Sequence, residues 1–277
     1  MKSILVPVEQ HASMRAVLDV SLLVAERFGS FVEGLALGPD IPEVIGIDVP
    51  AGWSLFDRKT QRELVEQSRQ VFESFMREAL ASPRAESRQA FSHAWAGSEL
   101  VGDSYLGRHG RIFDLVVLGR PHEHDERPRT ASVEAALFES GRPVLLAPPA
   151  APSTLGDTIV IAWNGSTETA RSVALALPFL ERARQIVVLS LDGWEVDGPS
   201  GEQLAQNLRR RGLAAEALMR GMDTASAGEA ILRHCAGLRA DLLIKGAYTQ
   251  SRLRQMILGG ATRHILSHAR LPVLMAH

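Results

Sequence analysis

The residues best suited to bind a ligand lie between positions 246 and 262, near the C-terminus. An apolar run at 242–244 stops at Gly246, a polar loop follows, and Gly259 and Gly260 open a short predicted helix. A strand that delivers a glycine-containing loop to the start of a helix gathers backbone N–H groups that can hold an anion. This pattern indicates a site for the phosphate groups of a nucleotide.

The same strand-and-loop frame occurs earlier in the chain, in a weaker copy. Three short apolar segments recur in the same order in both halves, which indicates duplication of one fold rather than a short solenoid repeat. The paired segments are 4–9 with 159–164, 114–119 with 241–246, and 142–148 with 271–277.

Two domains follow from this repeat, at residues 1–149 and 157–277 of the 277-residue chain. Residues 150–156 between them are rich in Pro, Ala and Gly, which is typical of a stiff, extended linker. In both halves, continuous apolar strands alternate with helical patterns, which predicts a parallel sheet covered on both faces. The predicted fold class is α/β, with two tandem, Rossmann-like domains of five parallel strands each.

The predicted strands and helices of the second domain bring its candidate ligand-binding residues to one edge of the sheet. Ser166 or Thr167 is expected to cap the first helix, and Ser226 a later one. Right-handed crossovers place the loops after the first and fourth strands side by side at the carboxyl edge of the sheet. The predicted strands are 159–163, 186–191, 214–219 (an edge strand), 242–245 and 273–276.

The first domain is larger because of an insertion at residues 39–56, which has no clean period and is predicted to be a loop. The sequence leaves open whether it is a plain surface excursion, a lid or a dimer contact. A long helix over about 57–80 follows it.

Bulk properties exclude several classes of protein. A net charge of −2 gives no general case for nucleic-acid binding, and the basic run at 209–211 lacks aromatic neighbours. No stretch approaches the roughly 18 apolar residues of a membrane span. The single cysteine, Cys235, falls on a helical pattern and cannot form an internal disulfide. We therefore expect a small core residue in a cytoplasmic protein.

At this point the motifs resemble those of a known family. The two units, their glycine loops and their terminal Pro-Val-Leu strands resemble the universal stress protein family in its tandem form. The resemblance implies a Rossmann-like fold of the adenine-nucleotide alpha-hydrolase type, which dimerises and in some members binds ATP or a related nucleotide. The segments that carry it are 161–166, 246–248, 251–254 and 258–263.

The nucleotide-binding pattern of that family, Gly-x2-Gly-x9-Gly-Ser/Thr, is only partly present. Gly246 and Gly259 match the first and third glycines, whereas Thr249 replaces the second and Gly260 replaces the Ser or Thr. Asn164 stands where the family has an acidic residue after the first strand. An amide can still hydrogen-bond a ribose hydroxyl, although a carboxylate is the stronger acceptor.

The resemblance implies that the second domain holds ATP, ADP or AMP, with or without Mg²⁺. Trp163 is open to two interpretations, contact with adenine or core packing. The arginines near the loop either hold phosphate or form a solvated or dimer-facing helix end. The expected binding residues are Ala162, Trp163, Asn164, Leu191, Gly246, Thr249, Arg252, Gly259, Gly260, Ala261 and Thr262.

The corresponding loop of the first domain is not suited to a nucleotide. It has no later glycine pair, Pro121 lacks an N–H, and Glu123, Asp125 and Glu126 would repel phosphate. We therefore expect a degenerate, structural or regulatory site there.

Other chemistry has weaker support. The histidines and acids at 122–125 form a metal-like cluster, but a polar surface loop is the preferred interpretation. No catalytic residue is predicted, and the chain is expected to hydrolyse ATP slowly at most. An enzyme acting on a small anion would have to use His264 or Asp223. The main alternative is a nucleotide-free interaction module, in which the two domains pair as a pseudo-dimer. A homodimer and an unidentified protein partner are also expected, without a membrane or nucleic acid.

Overall fold

Strands and helices alternate along a computed structural model that describes residues 1–38, 58–81, 89–121, 128–222, 226–247 and 260–277. In the N-terminal half the elements are β1 (Ser3–Val8), α1 (Met14–Phe28), β2 (Phe31–Ala36), α2 (Arg58–Leu80), β3 (Ser92–Trp95), α3 (Asp103–His109), a 3-10 turn (Gly110–Ile112), β4 (Leu115–Gly119), α4 (Thr130–Glu139) and β5 (Val144–Ala147). In the C-terminal half they are β6 (Thr158–Ala162), α5 (Thr167–Leu175), α6 (Leu177–Leu180), β7 (Gln185–Leu191), α7 (Gly201–Arg210), β8 (Ala215–Arg220), α8 (Ala227–Gly237), β9 (Leu242–Gly246), α9 (Gly260–His268) and β10 (Val273–Ala276).

The described strands form one sheet in the order β3-β2-β1-β4-β5-β10-β9-β6-β7-β8. Each half contributes five of them in the same relative order, and the pairings inside each half are parallel. The α/β class and the tandem, Rossmann-like fold predicted from the sequence are therefore confirmed. The predicted edge strand is also correct, because β8 lies at one end of the sheet.

Continuous apolar strands are buried on both faces, as a parallel sheet requires. In β1, Ile4, Val6 and Val8 belong to one core, and Leu5 belongs to the core on the opposite face. This follows from the two-residue period of a strand. Both cores contain residues from both halves of the chain, so each apolar layer continues across the whole sheet.

The two halves join through their last strands. β5 and β10 pair antiparallel, with Leu145 opposite Leu274 and Val144 opposite Met275. Because all four of these residues are buried, the junction is part of the sheet interior rather than an exposed edge. On one face, Arg120 of the N-terminal half also donates a hydrogen bond to the carbonyl of Leu266 in α9.

On the opposite face, the end of α1 is tied to the beginning of the C-terminal half. Arg27 donates to Asp157 Oδ1 at 3.0 Å and to the carbonyls of Gly156 and Arg182 at 2.9 and 2.6 Å. Phe28 packs edge-on against Phe179, with ring centroids 4.9 Å apart. These contacts hold the chain where it enters the second half. The domain boundaries at 149 and 157 stay a prediction.

Helix starts follow the side-chain signals in the sequence. Ser166 Oγ accepts from the Thr169 backbone N–H, and Ser226 Oγ accepts from that of Glu229, so both predicted caps are present. A third cap was not predicted: Ser200 and Gln203 form a reciprocal capping box at the start of α7. Such caps satisfy N–H groups that have no partner inside the helix.

Cys235 is a free cysteine on the buried side of α8, and burial raises the pKa of its thiol to about 12. The expectation of a core residue is therefore correct. None of the helices that the structure describes combines the length and the hydropathy needed for a membrane span. The insertion at 39–56 lies outside the described residues.

The contacts of Arg27 predict a measurable contribution to stability. Replacement of Arg27 by Ala removes three hydrogen bonds at a partly buried position and is expected to lower the free energy of unfolding by about 2 kcal/mol. Arg184 is the matched control, because it approaches the same Asp157 at 3.8 Å with a side chain that is 84% exposed. Arg184→Ala should change stability by about 0.5 kcal/mol or less. Equal losses in urea unfolding would contradict this assignment.

Candidate functional site

The carboxyl ends of β6 and β9 lie side by side where the strand order of the C-terminal half reverses. From β6 the chain continues to β7 and β8 on one side, and it returns to β9 and β10 on the other. Ala162 at the end of β6 is paired with Lys245, so the two following loops leave the sheet together. Ligands of open α/β sheets bind in the crevice at such a point. We call this place the C-terminal crevice.

Trp163 follows β6 as a packing residue. It is 4% exposed and belongs to the hydrophobic core on the α5 face of the sheet. Its indole Nε1 donates to the Pro199 carbonyl at 2.7 Å, which satisfies the ring's polar atom. Leu191, at the end of β7, is also buried. Core packing is therefore the role that the structure shows for both side chains.

The side-chain oxygen of Asn164 is used by the protein itself. Oδ1 accepts from Thr169 Oγ1 at 2.8 Å and from the Ser166 backbone N–H at 3.2 Å. An amide oxygen has two lone pairs, and these two bonds use both. The acceptor expected to face a ribose hydroxyl is thus engaged at the start of α5, and the amide Nδ2 is the group through which Asn164 would contact a ligand.

The loop after β7 bounds one side of the crevice. Its Val196 N–H donates to the Asn164 carbonyl at 2.9 Å. Two glycines permit this approach, because a Cβ on Gly198 would lie 2.5 Å from the Gly165 carbonyl oxygen. Gly165 itself has a φ of 82°, which favours glycine.

Gly246 is required by packing. A Cβ at this position would lie 2.5 Å from the backbone nitrogen of Thr169 and 2.8 Å from the carbonyl carbon of Glu168. The residue therefore allows the start of α5 to lie directly against the end of β9. In the sequence this glycine matches the first glycine of the phosphate-loop pattern, which does not indicate the close packing against α5.

The first turn of α9 lies beside the end of β9, where Thr262 contacts Lys245. Gly260 is exposed, Ala261 is partly buried and Thr262 is buried. Among the described residues, a Cβ on Gly260 would meet no atom within 4 Å. The first N–H groups of a helix lack partners inside it and carry the positive end of its dipole. Thr249, Arg252 and Gly259 lie outside the described residues.

A buried lysine beside this turn was not among the predicted site residues. Lys245, in β9, is 2% exposed, and its Nζ donates to the Gly246 carbonyl at 2.6 Å and to Thr262 Oγ1 at 2.8 Å. Burial lowers its pKa to about 8. The sequence did contain a signal, because Leu118 occupies the equivalent place in the repeat and a lysine interrupts an otherwise apolar strand.

The corresponding crevice of the N-terminal half, between β1 and β4, is filled by an arginine. Arg129 immediately precedes α4, and its Nη1 lies 2.7 Å from Glu9 Oε1 in an ion pair without hydrogen-bond alignment. Its Nη2 donates to Asp103 Oδ1 at 2.8 Å and to the Gly38 carbonyl at 2.7 Å. Ser132 Oγ donates to the same Asp103 oxygen at 2.6 Å. The guanidinium in this crevice is therefore already paired with two carboxylates of the protein.

The other side chains that the sequence suggested for catalysis or metal binding do not come together in the described part of the chain. His264 stacks on His268 of the same helix, with ring centroids 4.2 Å apart. Within the described ranges, no group of three His, Cys, Asp or Glu side chains could hold a metal ion. Asp223 and the cluster at 122–125 lie outside those ranges.

Comparison with known proteins relates this architecture to one family. The model of the universal stress protein family matches residues 156–277. A universal stress protein from Archaeoglobus fulgidus DSM 4304 is similar in structure, with a TM-score of 0.68 at 13% identity, covering 99% of this chain and 95% of its own. A putative universal stress protein from Pseudomonas aeruginosa UCBPP-PA14 has a TM-score of 0.54 at 15% identity, covering 100% and 93%. A search of curated proteins finds no significant match.

Both solved structures extend over the two halves of the chain, and the same strand order occurs in each half. Residues 156–277 therefore form a domain of the universal stress protein family, and the N-terminal half repeats its fold.

Proposed function

We propose that the C-terminal domain is a stress-response module that binds an adenine nucleotide, ATP, ADP or AMP, with or without Mg²⁺. The observation that carries the proposal is the C-terminal crevice itself. There the loops after β6 and β9 leave the sheet side by side at a topological switch point, and among the described residues a Cβ on Gly260 would meet no atom within 4 Å. A helix start at a switch point is suited to a phosphate group.

The structure supports a particular placement of the nucleotide. Its phosphates would lie against Gly260, Ala261 and Thr262, where the N–H groups of α9 begin. Its adenosine would lie against the backbone of residues 162–164, since the Trp163 and Leu191 side chains are buried in the core. The Nδ2 of Asn164 would be the polar contact for the ribose.

Only one nucleotide is proposed for each chain. In the N-terminal crevice Arg129 is already paired with two protein carboxylates, Glu9 and Asp103, and this group as a whole carries a negative charge that would repel phosphate. In the C-terminal half the corresponding positions hold Asn164, after β6, and Ala227, the first residue of α8. The C-terminal crevice therefore has no carboxylate at the two positions that pair with Arg129 in the N-terminal crevice.

We place the protein in the cytoplasm, where Cys235 stays a thiol. A homodimer and a protein partner stay predictions. Titration calorimetry with ATP, ADP and AMP tests the proposal. If millimolar nucleotide gives neither heat nor a thermal shift, the domain is instead a nucleotide-free interaction module.

Restoring the family's hydroxyl should strengthen binding. Gly260→Ser is expected to tighten ATP binding about five-fold, because one added hydrogen bond contributes about 1 kcal/mol. The control is Gly260→Ala, which adds the Cβ without a hydroxyl and raises helix propensity at least as much as Ser does. Equal affinities of the two variants would show that the hydroxyl makes no contact with the ligand.

Arg129 should be essential to the stability of the N-terminal half. Arg129→Ala leaves two buried carboxylates without their cation and is expected to cost about 3–5 kcal/mol in urea unfolding. Arg69→Ala, which breaks the exposed pair with Glu73, should leave the free energy of unfolding almost unchanged. In the wild-type protein, a stoichiometry of two nucleotides per chain would contradict the closed N-terminal crevice.

A further inference from the structure

Lys245 is a cation in the core. The two hydrogen-bond partners that the described residues supply to it, the Gly246 carbonyl and Thr262 Oγ1, are both neutral. No ion pair involves Lys245 among the described residues, and burial is the cause of its lowered pKa. A charged group buried without an opposite charge is costly, so its presence needs an explanation.

The N-terminal half shows that the fold does not require this lysine. The repeat places Leu118 where Lys245 lies and Val133 where Thr262 lies, and both are buried in the same core layer. One copy of the fold therefore packs this contact with two apolar side chains. Because an apolar pair is as stable as a buried charged group or more so, stability does not account for Lys245.

The polar pair offers donors to a ligand. Lysine has no acceptor, so Thr262 Oγ1 accepts from Nζ and its own O–H proton remains to be donated. The ammonium group has three N–H donors, and the described residues engage two of them. Residues 247–268 contain no Asp or Glu, so this stretch of sequence supplies no carboxylate to the lysine. The chemical complement of the pair is an anion rich in acceptors.

We infer that Lys245 and Thr262 anchor a phosphate group in the C-terminal crevice, where the charge of the ligand replaces the missing carboxylate. That the phosphate belongs to a nucleotide rests on the proposed function, whereas the anchor itself serves equally for an inorganic phosphate chain. Thr262 already lies in the first turn of α9. To bind the anion, Nζ would exchange its hydrogen bond to the Gly246 carbonyl for one to the ligand.

This anchor makes binding depend on pH. With its pKa lowered to about 8, Lys245 loses its proton in the free protein above that pH, and a bound anion raises the pKa again. The affinity for the anion should therefore fall up to about ten-fold per pH unit above pH 8, with proton uptake on binding. In the unfolded chain the lysine titrates near 10.5, so wild-type stability should rise between about pH 8 and 10.5.

The thiol of Cys235 on α8 does not titrate in this window, because burial raises its pKa to about 12. The titratable or charged side chains on the elements around β9 are Glu168 and Arg171 on α5, Glu229, Arg233, His234 and Cys235 on α8, Arg263, His264 and His268 on α9, His277 after β10, and Arg120, which contacts α9.

The test uses the full chain, with ATP and inorganic tripolyphosphate as separate probes. The double variant Lys245→Leu with Thr262→Val recreates the apolar pair of the N-terminal half. It should melt at the wild-type temperature or higher and bind both probes at least about ten-fold more weakly, without proton uptake. Lys59→Met, which removes an exposed lysine on α2, should bind like the wild type.

A second measurement does not depend on any variant folding. The chain contains only Lys2, Lys59 and Lys245, so ¹³Cε-lysine labelling gives three signals, and that of Lys245 should report a pKa that rises when the anion binds.

ATP binding that is unchanged in the double variant would overturn the anchor and leave the proposed function intact. If tripolyphosphate binds and its binding depends on Lys245, but ATP does not bind, the anchor is supported and the proposal that the ligand is a nucleotide is overturned. If neither anion binds, both fail.

Discussion

The antiparallel pairing of β5 with β10 is the contact on which the rest of the architecture depends. It joins two parallel half-sheets through buried side chains such as Leu145 and Leu274. Because the two strands run in opposite directions, the carboxyl edges of the halves lie at opposite edges of the common sheet. The two crevices are therefore separate, although the apolar layers on both faces are continuous. Each crevice can change its chemistry without disturbing the other.

The two halves share one fold, but their equivalent crevices contain different side chains. In the N-terminal half, Arg129 lies between Glu9 and Asp103, and the charges of the protein satisfy one another. In the C-terminal half, the carboxylates are absent from these positions, and Lys245 stands beside the start of α9 with neutral partners. The first arrangement is complete without a ligand. The second leaves positive charge in a low-dielectric place, where an anion interacts strongly.

Much of the fold could be predicted because its signals are local. Apolar runs, repeated segments and cap residues such as Ser166 depend on near neighbours in the chain, and the structure confirms the strands and caps that they indicated. The site was harder to predict. Gly246 fitted a phosphate loop in sequence, but its lack of a side chain admits the start of α5. The indole of Trp163 could face a ligand or the core, and only its bond to Pro199 shows the second.

The sequence by itself determined the α/β class, the duplication and the family resemblance, since these follow from periodicity and motif spacing along the chain. It also contained Lys245, whose place in an otherwise apolar strand is a signal that does not by itself indicate what the lysine contacts. Tertiary structure alone decided that this lysine is buried against Thr262, that Arg129 closes the other crevice, and that the Asn164 oxygen is already engaged. The physical reason is that burial and the partners of a charge are set by residues far away in sequence, whereas strand and helix patterns are set by residues close by.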